Sequence, residues 1–184
     1  NARILEMNSK SGLYPLYLTY SLYSMKLPKP EAQMELDETQ RLWQETLNAN
    51  VFVLCKTPMA VNITRRTLAG YQDTWDVHAV YIPRILDRME DKPRLARKLS
   101  NPKTWMKEGE RLKFDAIVGN PPYQLMGGSG GTNDAPIYQH FAELATELNP
   151  TYISLIIPSR WFSTGRENLL SNFRNAMLTD CHIS

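Results

Sequence analysis

The chain has 184 residues, with 21 Lys and Arg against 19 Asp and Glu, and its formal net charge of +2 permits nucleic-acid binding without arguing for it. An apolar share of 42% and a charged share of 22% are those of an ordinary globular protein, long enough for one domain with its own core. No apolar run is long enough for a transmembrane helix and no signal peptide is evident, so we expect a cytoplasmic protein. Neither Cys55 nor Cys181 has the CxxC spacing of a zinc site, so we expect both to be buried thiols.

The first part of the chain alternates apolar strands with helices. Residues 3–6 predict a short buried strand, and residues 7–12 predict a polar loop that ends in glycine. Apolar residues at helical spacing predict a helix over residues 13–25, and a more polar helix follows over residues 36–48. Residues 51–55, with the sequence Val-Phe-Val-Leu-Cys, predict a second buried strand.

The middle of the chain opens with a clear start signal for a helix. Thr57 is a favourable N-cap residue and Pro58 suits the first helical position, so a helix is predicted over residues 58–68. Residues 77–82 predict a weaker third strand. The charged stretch over residues 84–99 predicts a single helix.

The last part of the chain contains the clearest strand. Residues 114–118, Phe-Asp-Ala-Ile-Val, end at a glycine that two prolines follow closely. Residues 124–134 hold four of the nine glycines, which predicts a mobile loop. Residues 152–157 predict a fifth strand and residues 167–178 a last helix. Between loop and strand, helical spacing places these residues on one helix face: Ile137, Phe141, Leu144, Ala145 and Leu148.

Strands that alternate with helices along a chain favour a parallel sheet covered by helices on both faces. Such sheets bind ligands at the carboxyl ends of their strands, near the point where the strand order switches. Two polar segments, residues 6–12 and residues 119–123, lie at predicted carboxyl ends. We therefore expect these two segments to share one cleft.

The second of these segments contains Asn120-Pro121-Pro122-Tyr123, which carries the chemistry. Proline has no backbone N–H, so the two prolines end the strand and stiffen the turn that follows. The turn fixes the directions of the Asn120 amide and of nearby carbonyl oxygens, which can accept both hydrogens of an NH2 group and aim its lone pair at an electrophile. Tyr123 offers a flat face for stacking, worth about 1–3 kcal/mol per base. The motif thus indicates amino-group chemistry on a planar ring.

Residues 114–124, Phe-Asp-Ala-Ile-Val-Gly-Asn-Pro-Pro-Tyr-Gln, resemble the catalytic motif of the N6-adenine DNA methyltransferases of restriction–modification systems, in particular the type II enzymes fused to a nuclease. Residues 4–20 resemble a variant cofactor motif of that family, and residues 55–71 and 152–165 resemble two further segments. The resemblance implies an α/β, Rossmann-like, S-adenosylmethionine-dependent methyltransferase, a three-layer αβα sandwich that is truncated here. It also implies double-stranded DNA with one flipped adenine as the partner, and no membrane.

The resemblance further implies roles for the residues of both segments. Asn120 and the Pro121 carbonyl would hold the adenine amine. Pro122 and Tyr123 complete the catalytic motif, and the Tyr123 ring would stack on the flipped base. The cofactor would lie against Glu6 and the residues that follow it: Asn8, Ser9, Lys10, Ser11 and Gly12. No metal-ligand cluster competes with this interpretation.

The chain departs from the family pattern in its cofactor segments. Lys10 stands where a glycine is common, which affects the shape of the loop. Cys55-Lys56 occupies the position after the second strand where the family has an acidic residue that grips the ribose hydroxyls. No acidic residue that would hold the adenine of the cofactor is evident near Tyr81 and Ile82.

We expect residues 1–184 to form one methyltransferase catalytic domain, a fragment whose upstream segment, last strands and target-recognition domain lie outside it. The predicted function is transfer of a methyl group from S-adenosylmethionine to the N6 amine of adenine in DNA. Two alternatives stay open. The same motif serves enzymes that methylate protein glutamine or RNA bases, and the chain could be a non-catalytic, methyltransferase-like DNA-binding module.

Overall fold

The computed structural model describes residues 2–28, 34–70, 72–124, 136–162 and 170–180. Strands in these ranges form one parallel sheet: β1 (Ile4–Ser9), β2 (Val51–Cys55), β3 (His78–Tyr81), β4 (Ala116–Gly119) and β5 (Tyr152–Leu155). The helices are α1 (Leu13–Lys26), α2 (Leu36–Asn50), α3 (Pro58–Ala69), α4 (Ile85–Arg88), α5 (Lys92–Leu99), α6 (Tyr138–Glu147) and α7 (Ser171–Asp180). Short 3-10 turns lie at Met89–Asp91, Pro102–Trp105 and Ser159–Phe162.

Helices cover both faces of the sheet. Alternate residues of β2 point to opposite faces, and both sets are buried against helices. Phe52 and Leu54 are buried in a core that includes residues of α5 and α6. Val51 and Val53 are buried in a second core, with residues of α2 and α3. The predicted three-layer αβα sandwich with a parallel sheet is therefore confirmed, and the fold is Rossmann-like.

The strand order, β3-β2-β1-β4-β5, switches direction at the centre of the sheet. The chain runs outward from β1 to β2 and β3, and then returns to place β4 on the other side of β1. Met7 of β1 lies opposite Leu54 of β2 and opposite Gly119 of β4. The crevice between the carboxyl ends of β1 and β4 is thus the switch point, where sheets of this kind bind ligands.

Several elements begin where local signals in the sequence predict. β2 occupies residues 51–55 as predicted. α3 starts at Pro58, and the Thr57 hydroxyl accepts a hydrogen bond from the backbone N–H of Ala60 at 3.1 Å. The five apolar residues predicted to share one face of α6 are all buried. Each of these signals acts within one turn or one helix, so a single stretch of sequence contains it.

Some predicted boundaries are wrong. β1 runs to Ser9 instead of ending at residue 6, because β2 pairs with it as far as Ser9 and β4 pairs with it as far as Met7. β3 and β5 are shorter than predicted, and β4 begins at Ala116 rather than at Phe114. Phe114 is nevertheless buried in the core that β4 shares with α5 and α6. Strand lengths therefore follow the pairing partners rather than the apolar run alone.

The single helix predicted over residues 84–99 is wrong, because the structure divides it into α4, a 3-10 turn and α5. The Asp91 side chain accepts a hydrogen bond from the backbone N–H of Arg94 at 3.0 Å and so caps a new helix start. Pro93 lies in the first turn of α5, where its missing N–H is harmless. Arg84 has a φ of 52°, a left-handed conformation outside any helix interior.

The predicted helix α1 is confirmed, but it turns much of its apolar surface outward. Leu13, Tyr17 and Tyr20 are 65%, 67% and 59% exposed. The buried residues of the helix are Pro15 and Thr19 instead. The helical spacing therefore predicted the element correctly, whereas the packing of its neighbours decided which face is covered.

Parts of two predicted elements lie outside the described residues. The loop predicted over residues 124–134 is described only at Gln124, and the helix predicted over residues 167–178 is described from residue 170 onward. Within that described part, Leu170 and Phe173 are buried. Across the ranges that the structure describes, no helix has both the length and the apolar character that a membrane span requires.

Candidate active site

The candidate site lies where β1 and β4 end side by side. Gly119, the last residue of β4, has a φ of 152° and sits opposite Met7. A Cβ atom added at Gly119 would lie 2.5 Å from the Met7 carbonyl oxygen, closer than real Cβ atoms come to a neighbouring heavy atom. Only glycine therefore allows the two strand ends to approach this closely.

The turn that follows β4 is anchored on two sides. The carbonyl of Gly119 accepts a hydrogen bond from the backbone N–H of Ile156 at 2.9 Å, and the carbonyl of Tyr123 accepts one from Ile137 at 3.0 Å. Pro121 is buried, Asn120 is exposed and Tyr123 is 41% exposed. The turn thus presents the Asn120 amide and the Tyr123 ring at the surface of a fixed backbone.

The predicted cofactor residue Asn8 bonds to this same turn. Its side-chain amide nitrogen donates a hydrogen bond to the backbone carbonyl oxygen of Asn120 at 2.9 Å. Asn8 is itself buried and has a φ of 72°. The structure therefore brings together residues from the two segments that the sequence predicted to share one cleft, although they lie far apart in the chain.

Glu6, another predicted cofactor residue, carries a buried carboxyl group within β1, three residues before the strand ends. The residue is 4% exposed, and its Oε2 atom has no hydrogen-bond partner among the residues that the structure describes. Burial raises the pKa of this carboxyl from 4.5 to about 7, and a hydrogen bond with the Ser9 side chain opposes the rise. A buried oxygen without a partner is costly, so this position fits a bound ligand that supplies a hydrogen-bond donor or a cation.

The raised pKa of Glu6 leads to a testable pH dependence of stability. Because the folded state holds the Glu6 proton more tightly than the unfolded chain, this stabilisation is complete below the unfolded pKa of 4.5 and is lost as the pH rises through about 7. We expect the free energy of unfolding to fall by roughly 3 kcal/mol over that interval for this reason. Because glutamine does not titrate, Glu6→Gln should reduce this dependence of the free energy of unfolding on pH.

Urea unfolding of the protein at about pH 5 and about pH 8 measures this change. Glu110→Gln is the matched control, since Glu110 is an exposed carboxylate in the connector before β4. A Glu6→Gln variant with the same pH dependence as the unaltered protein would contradict the assignment.

Helix α3 holds the loop after β1 in place. The Thr67 hydroxyl donates a hydrogen bond to the Ser11 carbonyl at 2.9 Å. Gly12 has a φ of 76°, and a Cβ atom there would lie 2.8 Å from the Cα atom of Thr64. Gly12 is therefore required for the packing of the loop against α3, while Lys10 and Ser11 remain exposed.

A cavity of about 630 Å³ opens beside the turn, at the carboxyl ends of β1 to β4. Of the predicted site residues, Asn8 and Pro122 line it. Much of its wall is apolar: Leu54, Ile82, Ile85, Leu86, Ile137 and Phe141. A cavity of this size and composition suits a flat, partly apolar ligand.

The charged groups of this cavity include residues that the sequence did not single out. Lys56, Arg84 and Asp87 line it, and Asp87 is the sole carboxylate among the described residues that do so. Asp87 forms an ion pair with Arg84, and both side chains are more than half exposed. A continuous helix over residues 84–99 gave no reason to place Asp87 at a cavity. In the structure Asp87 lies in the short helix α4, which begins after the left-handed residue Arg84.

Comparison with known proteins adds two findings. A family model described as the Eco57I restriction-modification methylase matches residues 49–184, a range that includes the turn after β4 but excludes β1 and its loop. The chain is also 44% identical over 68 residues to a Mycoplasma pneumoniae (strain ATCC 29342 / M129 / Subtype 1) protein called an "uncharacterized adenine-specific methylase". That match covers 36% of this chain and only 16% of the relative.

Proposed function

The chain belongs to the Eco57I restriction-modification methylase family, and from this premise we propose that it transfers a methyl group from S-adenosylmethionine to the N6 amine of adenine in double-stranded DNA. We assign residues 1–184 to the catalytic domain of this enzyme, which would act in a restriction–modification system. The observation that carries the proposal is the turn from Asn120 to Tyr123, which stands at the switch point and is bonded to β1 through Asn8.

In this proposal the turn holds the target amine. The Asn120 side-chain oxygen and the Pro121 carbonyl accept its two hydrogens, which leaves the nitrogen lone pair free to react. The turn is fixed before the substrate arrives, since hydrogen bonds hold the carbonyls of Gly119, Asn120 and Tyr123. Such preorganised groups contribute to catalysis because they need not reorient during the reaction.

The exposed Tyr123 ring supports the choice of a flipped base as substrate. An adenine that leaves the duplex loses its stacking with its neighbours, a cost of a few kcal/mol. Stacking on an aromatic ring returns about 1–3 kcal/mol of this cost. Tyr123 is 41% exposed at the edge of the turn, so it has room for a second planar ring.

The residues beside the turn fit S-adenosylmethionine, which when bound supplies an electrophilic methyl group. The unpaired Oε2 atom of Glu6 and the loop from Ser9 to Gly12 would hold its methionine part. The apolar cavity wall would receive its adenine ring. Asp87 would accept hydrogen bonds from the ribose hydroxyls and so take the role of the acidic residue that is absent at Cys55-Lys56.

The role of Asp87 predicts a loss of cofactor affinity on substitution. Asp87→Asn is expected to raise the Kd for S-adenosylmethionine about tenfold, the effect of losing one charged hydrogen bond. Stability should change little, because the Arg84–Asp87 pair is largely exposed. Calorimetric titration measures the Kd, and Glu90→Gln, an exposed neighbour that does not line the cavity, is the control. An unchanged Kd in Asp87→Asn would exclude this role.

Methyl transfer by the full-length protein tests the proposed function directly. The protein is incubated with unmethylated double-stranded DNA and S-adenosylmethionine that carries a labelled methyl group, and the DNA is digested to nucleosides for mass spectrometry. Labelled N6-methyladenine is the expected product. Parallel reactions offer RNA or protein in place of DNA. Label transferred to RNA bases or protein glutamine but not to DNA, or no transfer despite cofactor binding, would overturn the assignment.

A further inference from the structure

Asn8 occupies an irregular position in β1. Met7 pairs with Leu54 of β2, but the next paired residue is Ser9, opposite Cys55, so Asn8 is left out of the ladder as a bulge. Its φ of 72° is a left-handed conformation that asparagine tolerates better than most residues. Bulges next to active sites commonly redirect a side chain, and this one turns the Asn8 amide toward β4.

The Asn8 amide takes the place of a missing ladder bond. The regular pairing between β1 and β4 ends at Met7 and Gly119. Beyond that point the prolines at 121 and 122 have no N–H with which to continue a strand. The Gly119 carbonyl accepts a hydrogen bond from the backbone N–H of Ile156, the residue just after β5. The next carbonyl, that of Asn120, receives the Asn8 amide at 2.9 Å.

This bond acts on the peptide group that joins Asn120 to Pro121. A peptide group is planar, so a hydrogen bond that holds its oxygen restrains the whole plane. The plane runs from the Cα atom of Asn120 to the Cα atom of Pro121. Its orientation therefore limits where the Asn120 side chain and the Pro121 carbonyl can lie. These two residues supply both acceptors for the target amine in the proposed function.

We propose that Asn8 is a positioning residue for methyl transfer, which holds the Asn120–Pro121 peptide through its side-chain amide rather than serving chiefly to bind the cofactor. The inference rests on the proposed function. Asn8 is buried and its donor is already bonded within the protein, which supports a role directed at the turn. A misplacement of reacting groups by about 1 Å can lower a rate by about 100-fold, so a single bond at this position matters.

Two substitutions separate the amide from the backbone shape. Asn8→Gly removes the side chain but accepts the left-handed conformation. Asn8→Asp keeps the size of the side chain and also tolerates this conformation, but its ionised form has no hydrogen to donate. In the full-length protein, both variants are expected to lower the single-turnover rate of methyl transfer to DNA about 10- to 100-fold. The Kd for S-adenosylmethionine should change less than about threefold.

The pH dependence of Asn8→Asp gives a second readout that a purely structural role would not affect. A protonated aspartic acid regains an O–H that can donate to the Asn120 carbonyl, so its rate relative to the unaltered enzyme should rise as the pH is lowered from about 8 to about 5.5. Glu6, Lys56, Arg84 and Asp87 also lie near this position. Titration of these groups affects Asn8→Gly and the unaltered enzyme alike. The rate of Asn8→Gly relative to the unaltered enzyme should therefore not change with pH.

Three outcomes would overturn the inference. One is a Kd for S-adenosylmethionine that rises tenfold or more while the saturating rate is unchanged, since this marks a cofactor-binding residue. The second is a lowered melting temperature with an unchanged rate per folded molecule in both variants. The third is a rate of Asn8→Asp, relative to the unaltered enzyme, that does not change between about pH 8 and about pH 5.5. If the unaltered protein itself transfers no methyl group to DNA, the proposed function fails first, and the same assay shows this.

Discussion

Replacing Asn120 with alanine is expected to lower the saturating rate of methyl transfer to DNA by about 100-fold or more. The variant removes the side-chain oxygen that would accept one hydrogen of the adenine amine. The turn itself should persist, because Asn8 bonds to the backbone oxygen of residue 120, which alanine retains. Single-turnover incorporation of labelled methyl groups into DNA by the full-length protein measures the loss.

A surface asparagine provides the matched control for this experiment. Asn62 lies exposed on α3, where alanine favours the helix, so Asn62→Ala should transfer methyl groups at the normal rate. Binding of S-adenosylmethionine should change less than about threefold in Asn120→Ala, because Asn120 is assigned to the base and not to the cofactor. If Asn120→Ala and Asn62→Ala methylate DNA equally well, the assignment of the turn as the catalytic centre is wrong.

Gly119→Ala is expected to damage both the stability of the protein and its activity. The added Cβ atom would lie 2.5 Å from the Met7 carbonyl oxygen, a backbone atom in the centre of the sheet that cannot swing away as a side chain could. The strands must therefore move apart, at a cost of roughly 3 kcal/mol in the free energy of unfolding. Separation of β1 from β4 also stretches the bond from Asn8 to Asn120, so methyl transfer should fall in the molecules that remain folded.

Gly109→Ala separates the clash at Gly119 from the strain of a positive φ. Gly109 has a φ of 113°, but a Cβ atom there would meet nothing within 4 Å. This variant should therefore lose only about 1–2 kcal/mol and keep its normal rate of methyl transfer. Urea unfolding and the methyl-transfer assay, applied to both variants, compare them. Equal losses of stability would show that the contact with Met7 does not limit the approach of the strands.

Local features of the sequence were sufficient for many elements and for the rigid turn after β4. The start of α3 follows from Thr57 and Pro58, since an N-cap bond involves residues only three positions apart. The buried face of α6 follows from helical spacing. The end of β4 follows from Gly119 and the two prolines, because proline lacks a backbone N–H in any conformation.

Other features depended on several weak signals that compete along the chain. Residues 84–99 have the composition of one helix, yet the 3-10 turn at Met89–Asp91 and the Asp91 cap divide them. Asp87 of α4 lines the cavity. The sequence alone offered no replacement for the missing acidic residue. On α1, spacing alone predicts a helix, but only the positions of the neighbouring elements leave Tyr17 and Tyr20 exposed.

The sequence by itself determined the parallel α/β class, the turn from Asn120 to Tyr123 and the location of this turn at the end of a strand. Only the tertiary structure decided that β1 and β4 are neighbours, that Glu6 is buried with an unpaired oxygen, and that Asn8 bonds to Asn120 across 112 positions of the chain. The reason is physical. Strand propensity, capping and proline effects act over a few residues, whereas strand order, burial and contact between distant residues arise from how the whole sheet packs.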